Sequence, residues 1–148
     1  MKLIIYLCGF YSLAFALFHI GFWKMFQWNK DLKKMLFPNR GIMQILNVQI
    51  IYYFLFVAFL CMVFPDELLN TKLGNVFLLG CSLFWLIRTV QQFIFLRANN
   101  YVIHSLTAIF IIGTVLFALP VFIGQVSPIG RTVKSHQLVG QFVKIQLF

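Results

Sequence analysis

Eight polar side chains interrupt or border the long apolar stretches of this sequence: His19, Arg40, Gln44, Asn47, Arg88, Gln91, Gln92 and His104. A polar side chain in an apolar helix is costly, so it usually marks a binding site, a proton or ion pathway, or hydrogen bonding between helices. Residues three, four or seven apart share a helical face. By that spacing Arg40, Gln44 and Asn47 share one face, and Arg88 and Gln92 share another.

These side chains all fall in the same half of their apolar stretches, where the first and third stretches end and the second and fourth begin. If their faces point inward, they line a polar pocket open to one side, able to hold a lipid or a small anionic ligand. The alternative is that they hydrogen-bond one helix to another and hold no ligand. The sequence leaves both interpretations open.

Arg88 is the most informative of these residues. It lies eight residues before the end of its stretch, so it is about 12 Å deep at 1.5 Å per residue. The acidic residues all lie outside the apolar stretches, at Asp31, Asp66 and Glu67. A buried guanidinium therefore needs amides, water or an external anion, unless it extends to the interface. We predict that Arg88 points into the bundle, within reach of Gln44, Asn47 or His104.

Other chemistry is less well supported by the sequence. His19 and His104 lie on different helices at similar depth, which is the minimum arrangement for axial ligation of haem b. Cys8, Cys61 and Cys81 form no C-x-x-C pair, so no zinc or thiol redox motif is present. Nucleophile elbows, phosphate loops and paired carboxylates are also missing. We therefore name no catalytic residue and no metal ligand.

The composition places these residues in a membrane. Hydrophobic residues make up 61% of the 148 residues and charged residues 10%, and the mean hydropathy is +0.91. A soluble domain carries about 25% charged residues, so this chain could not cover a core with polar surface. We expect an integral membrane protein, in a bacterial inner membrane.

Four apolar runs have the length of a membrane crossing, which takes roughly 20 helical residues. They cover residues 3–23, 42–64, 76–96 and 102–122. Short connections make neighbouring spans antiparallel. The predicted fold is an all-α, up-down four-helix transmembrane bundle over residues 1–124. Pro38 should end the segment before the second span, with Asn39 as the next helix cap, and Asn75 should cap the third span.

Two segments outside the spans have their own patterns. Between Lys24 and Leu36, apolar residues recur at helical spacing with lysines mostly off that stripe, which predicts a short amphipathic helix lying in the interface. Its stripe is Met25, Trp28, Leu32 and Met35/Leu36. The tail over residues 125–148 fits neither helical nor strand periodicity, and we expect it to be interfacial or to dock on a partner.

Charge favours a lipid partner over nucleic acid. The net charge is +9, and the basic residues lie mostly in short connections, where anionic headgroups attract them. Loop one has the densest group, Lys24, Lys30, Lys33, Lys34 and Arg40. By the positive-inside rule, loops one and three are cytoplasmic and both termini are outside.

The leading functional hypothesis is a non-enzymatic accessory or binding subunit that holds a lipid or anionic small ligand in one leaflet. The first alternative is a redox subunit that binds haem or quinone through His19 and His104. A second alternative is a small oligomeric transporter. The expected partners are the bilayer itself and a membrane protein or a second copy of the chain.

Overall fold

The computed structural model describes residues 1–96 and 101–126, with side chains to Gly124. The predictions for loop three and for most of the tail lie outside the described residues. The described chain is helical throughout, with short breaks and no strand. Its helices are α1 (Lys2–Ile20), α2 (Phe22–Met25), α3 (Trp28–Asp31), α4 (Phe37–Val63), α5 (Pro65–Asn70), α6 (Lys72–Phe95) and α7 (Tyr101–Val126).

Within the described residues, four helices are long and apolar enough to cross a membrane: α1, α4, α6 and α7. The four predicted runs are therefore confirmed as helices. Their ends differ from the prediction: α1 stops three residues early, and α4 begins at Phe37, five residues before the predicted span.

The residues at which α4 and α6 begin differ from two of the predictions. Pro38 lies in the first turn of α4 and Asn39 is inside that helix, because a proline at this position removes only a donor that has no intrahelical partner. At the start of α6 the cap is Thr71, whose hydroxyl accepts a hydrogen bond from the Gly74 backbone N–H at 2.9 Å. Asn75 therefore lies within α6 instead of capping it.

Loop one is not one continuous amphipathic helix, so that prediction is wrong. It consists of α2, α3 and a short 3₁₀ helix over Leu32–Lys34. The helical conformation is interrupted at Gln27, which has a left-handed φ of 46°. The break divides the predicted stripe. Trp28 and Leu32 are buried, while Met25, Met35 and Leu36 remain exposed.

The four long helices pack as antiparallel neighbours. The first residues of α1 contact α5, which directly follows α4, and Lys2 Nζ lies 2.7 Å from Asp66 Oδ2. At the other end, Asn47 Nδ2 of α4 donates to the His19 carbonyl oxygen of α1 at 3.2 Å. On the other side, Ser82 of α6 donates to the Thr114 carbonyl of α7 at 2.8 Å. Contacts between α1 and α7 join the two pairs.

An aromatic layer closes the middle of the bundle, with one ring from each long helix. Phe15, Phe54, Trp85 and Phe110 are all buried. Trp85 is the centre of this layer, with its ring centroid 4.6 Å from Phe15, 5.4 Å from Phe54 and 5.7 Å from Phe110. Close to it, α4 and α6 meet through large side chains such as Tyr53 and Phe84, whose centroids are 4.9 Å apart. The layer separates the two halves of the bundle.

The three cysteines lie within the buried core and form no disulfide. They occupy α1, α4 and α6, and the apolar core surrounds them. The three cysteines therefore pack in the core as small hydrophobic side chains.

Candidate functional site

A cavity of about 340 Å³ lies where α1 and α6 end and α4 and α7 begin. All four long helices contribute to it, and Phe22 and Phe26 extend its wall into loop one. The lining residues are Phe15, Phe18, His19, Phe22, Phe26, Ile50, Phe54, Phe84, Trp85, Arg88, Gln92, Leu96, Val102, Ile103, Leu106 and Phe110. Most of this lining is apolar, so the three polar side chains determine what the cavity can recognise.

Arg88 is half-buried in the wall supplied by α6. Its Nη1 donates to Gln92 Oε1 at 3.4 Å, and its Cζ lies 4.8 Å from the centroid of the Phe110 ring. The ring attracts the guanidinium through a cation–π contact. Within the described residues Nε and Nη2 have no hydrogen-bond partner, and no acidic side chain lines the cavity. The positive charge therefore has no counter-ion from the described part of the chain.

Gln92 lies one helical turn beyond Arg88 and is 1% exposed. Its Oε1 accepts the bond from Arg88, while its Nε2 has no hydrogen-bond partner in the part of the chain that the structure describes. A buried donor without a partner costs about 1–3 kcal/mol, so an acceptor in the cavity would recover that energy.

His19 stands on α1 and also lines the cavity. Its Nδ1 lies 2.9 Å from the Phe15 carbonyl oxygen. Since a carbonyl only accepts, Nδ1 carries the proton, and in the neutral ring Nε2 is an acceptor. The imidazole stacks on Phe22, with centroids 4.5 Å apart and ring planes 29° apart. This contact and the Nδ1 bond fix the ring orientation.

The other predicted site residues do not reach the cavity lining. Asn47 is buried but turns toward α1, where it bonds the His19 carbonyl. Arg40 lies at the start of α4, with its Cζ 5.6 Å from the centroid of the Phe37 ring. The residues outside the lining, within the described chain, are Arg40, Gln44, Asn47, Gln91 and His104. Asn47 fits the interpretation of hydrogen bonding between helices, whereas His19, Arg88 and Gln92 fit the pocket.

The predicted partners of Arg88 also differ from those in the structure. Among the described residues its hydrogen bond goes to Gln92 on its own helix, not to Gln44 or Asn47 on α4. His19 and His104 are the pair considered for haem. His19 lines the cavity, whereas His104 is exposed and does not line it. In the described chain no group of three or more metal-ligating side chains comes together.

Sequence reasoning missed the aromatic lining. Phe15, Phe18, Phe22 and Phe26 follow one another at steps of three, four and four residues, which keeps them on one helical face. That periodicity was available as a signal. It was obscured because the chain contains 19 phenylalanines, most of which would suit any apolar surface.

Comparison of the chain with protein-family models, with curated proteins and with solved structures finds no match.

Proposed function

We propose that this chain is an integral membrane protein whose four long helices cross the bilayer. The outer surface supports this proposal, since large apolar side chains are widely exposed, with Phe37 and Phe95 each 78% exposed. Exposed apolar surface of this extent is unfavourable in water. In this arrangement the cavity lies in the half of the membrane beside loop one.

We further propose that the cavity binds an amphiphilic anion, as a binding protein or as a binding subunit of a larger assembly. The observation that carries this is the pairing of Arg88 with Gln92. Among the described residues, the guanidinium has no counter-ion and the buried amide N–H has no acceptor, and both residues line one apolar cavity. Carboxylate or phosphate oxygens would satisfy both groups, and the apolar part of the ligand would be buried among the rings.

The proposal is tested by calorimetric titration of the purified full chain in detergent micelles. The probes are decanoate and decyl phosphate, with 1-decanol as a neutral molecule of the same chain length. We expect both anions to bind, and Arg88→Leu to weaken them by about tenfold to a hundredfold, since a charge-assisted hydrogen bond contributes about 1.5–3 kcal/mol. Arg88→Lys should restore only part of the affinity, because lysine lacks the planar fork.

Arg40→Leu is the matched control, because it removes an equal charge from α4 outside the cavity lining. It should leave anion affinity unchanged. Arg88→Leu should keep the thermal unfolding temperature of the empty protein or raise it, since the variant no longer buries a charge without a counter-ion. Equal affinity of wild type and Arg88→Leu for both anions would refute the proposed function.

A further inference from the structure

Aromatic rings dominate the cavity lining well beyond their share of the chain. Eight of the sixteen lining residues are Phe or Trp, while aromatic residues make up 18% of the sequence. The remaining apolar lining comes from Ile50, Leu96, Val102, Ile103 and Leu106. A wall built only to bury a saturated chain has no need of rings, so this enrichment bears on the shape of the ligand.

The buried rings of the aromatic layer, at the inner end of the cavity, stack on one another. Trp85 lies nearly parallel to Phe54, with 16° between their planes, and at 30° to Phe110. Aromatic pairs prefer offset-stacked or edge-to-face contacts and gain energy beyond simple burial. A planar ring in the cavity would gain energy of the same kind against the half-buried lining rings Phe18, Phe22 and Phe84, whereas a saturated chain gains only from burial.

The cavity volume limits the number of rings. A cavity of about 150 Å³ holds one benzene molecule, and this cavity measures about 340 Å³. Two fused rings fit that volume.

The single positive charge of the described lining limits the negative charge that a bound anion can carry. Arg88 supplies the one guanidinium of the described lining, and Nη1 is already bonded to Gln92. Its Nε and Nη2 form an edge that matches the two oxygens of a carboxylate. A phosphate monoester carries a charge of about −1.5 to −2, which one guanidinium does not neutralise. A carboxylate is also flat, like the rings around it.

We infer that the cavity selects a planar aromatic carboxylate of about two fused rings. Its carboxylate pairs with the Nε–Nη2 edge of Arg88 and accepts from Gln92 Nε2, and its rings pack against Phe18, Phe22 and Phe84, the half-buried rings of the lining. This inference rests on the proposed function, in that Arg88 must hold an anion.

The test compares 2-naphthoate with decanoate by calorimetric titration of the full chain in detergent micelles. Both are apolar monocarboxylates, and they differ in having flat rings or a flexible chain. We expect 2-naphthoate to bind about tenfold more tightly. Phe84→Leu should reduce that preference, because it removes a ring from the lining. Phe77→Leu should preserve it, because Phe77 is another partly buried ring of α6 and lies outside the lining.

Each outcome separates the inference from the proposed function. If decanoate binds as tightly as 2-naphthoate or more tightly, and both depend on Arg88, the aromatic selectivity is overturned while anion binding stands. If neither carboxylate shows Arg88-dependent binding, the proposed function fails and this inference fails with it. The comparison in the wild-type chain decides the matter even if Phe84→Leu does not fold.

Discussion

Two nearly inaccessible amides, Gln92 and Asn47, have opposite roles in this molecule. Within residues 1–96 and 101–126, each has one polar atom without a partner, Nε2 in Gln92 and Oδ1 in Asn47. Asn47 uses its other atom to bond the His19 carbonyl on α1, so it holds two helices together. Gln92 bonds only within its own helix and lines the cavity. The N–H without a partner therefore belongs to a residue of the cavity lining in Gln92, whereas Asn47 lies outside that lining.

Gln92→Leu should separate ligand binding from stability. Leucine removes a buried donor without a partner, so the free energy of unfolding of the empty protein should stay the same or rise by about 1 kcal/mol. Affinity for decanoate should fall by roughly twofold to tenfold, because one hydrogen bond is lost. Thermal unfolding with and without decanoate measures both effects, since a ligand that binds the folded state raises its stability.

Gln91→Leu is the control for this experiment. Gln91 is the neighbouring glutamine, is exposed and lies outside the lining, so neither stability in micelles nor affinity should change. A loss of more than about 2 kcal/mol of stability in Gln92→Leu alone would mean that the amide supports the fold. That result would contradict the role given to it here.

The polarity of single residues could be read from the sequence, but their rotation about the helix axis could not. Arg88 and Gln92 share a helical face, and the structure places both on the cavity. The same periodicity put Asn47 on a common face with Arg40 and Gln44, yet Asn47 turns to α1. Which neighbour a face meets depends on how all four helices pack, and local spacing does not contain that information.

At the scale of the elements, small residues set how closely the helices approach. A Cβ added to Gly113 of α7 would lie 2.6 Å from the Tyr11 hydroxyl and 2.9 Å from Cδ2 of Trp85. Tyr11 crosses here from α1 and donates to the Ile109 carbonyl at 2.7 Å. Gly113 therefore lets α1, α6 and α7 meet directly above the aromatic layer.

Gly113→Ala should destabilise the protein by about 1–3 kcal/mol, because an extra carbon in a packed core forces its neighbours to move. Gly80→Ala on α6 is the matched control, since its Cβ would meet nothing within 4 Å and alanine favours the helix. We expect it to be neutral or slightly stabilising. Thermal unfolding in micelles compares the two, and equal stability of both variants would contradict the close packing at Gly113.

Loop one shows where prediction at the scale of an element failed. The spacing of Met25, Trp28 and Leu32 suits a helix, but the left-handed backbone at Gln27 ends α2 before Trp28. A left-handed residue other than glycine costs energy and has to be held by its surroundings. Here Trp28 is buried and its ring lies 6.0 Å from Phe22, which lines the cavity. Tertiary packing thus overrode the local period.

At the scale of the whole molecule, the two ends of the bundle differ in character. The end near loop one contains the cavity and most of the exposed lysines of the described chain. The opposite end has the Lys2–Asp66 ion pair and the helix α5. In the proposed membrane arrangement, four long antiparallel helices leave these two ends on opposite sides. The positive-inside rule then predicts that loop one is cytoplasmic.

Labelling of single introduced cysteines with a membrane-impermeant maleimide tests this orientation. We expect Lys30→Cys to be labelled in inside-out vesicles and Glu67→Cys in right-side-out vesicles, because both positions are exposed and lie at opposite ends of the bundle. The wild-type chain is the control, since Cys8, Cys61 and Cys81 are buried and should not react. Labelling of both introduced cysteines from one side would contradict the four antiparallel crossings. Labelling from opposite sides in the reverse order would preserve the crossings and place the cavity in the outer leaflet.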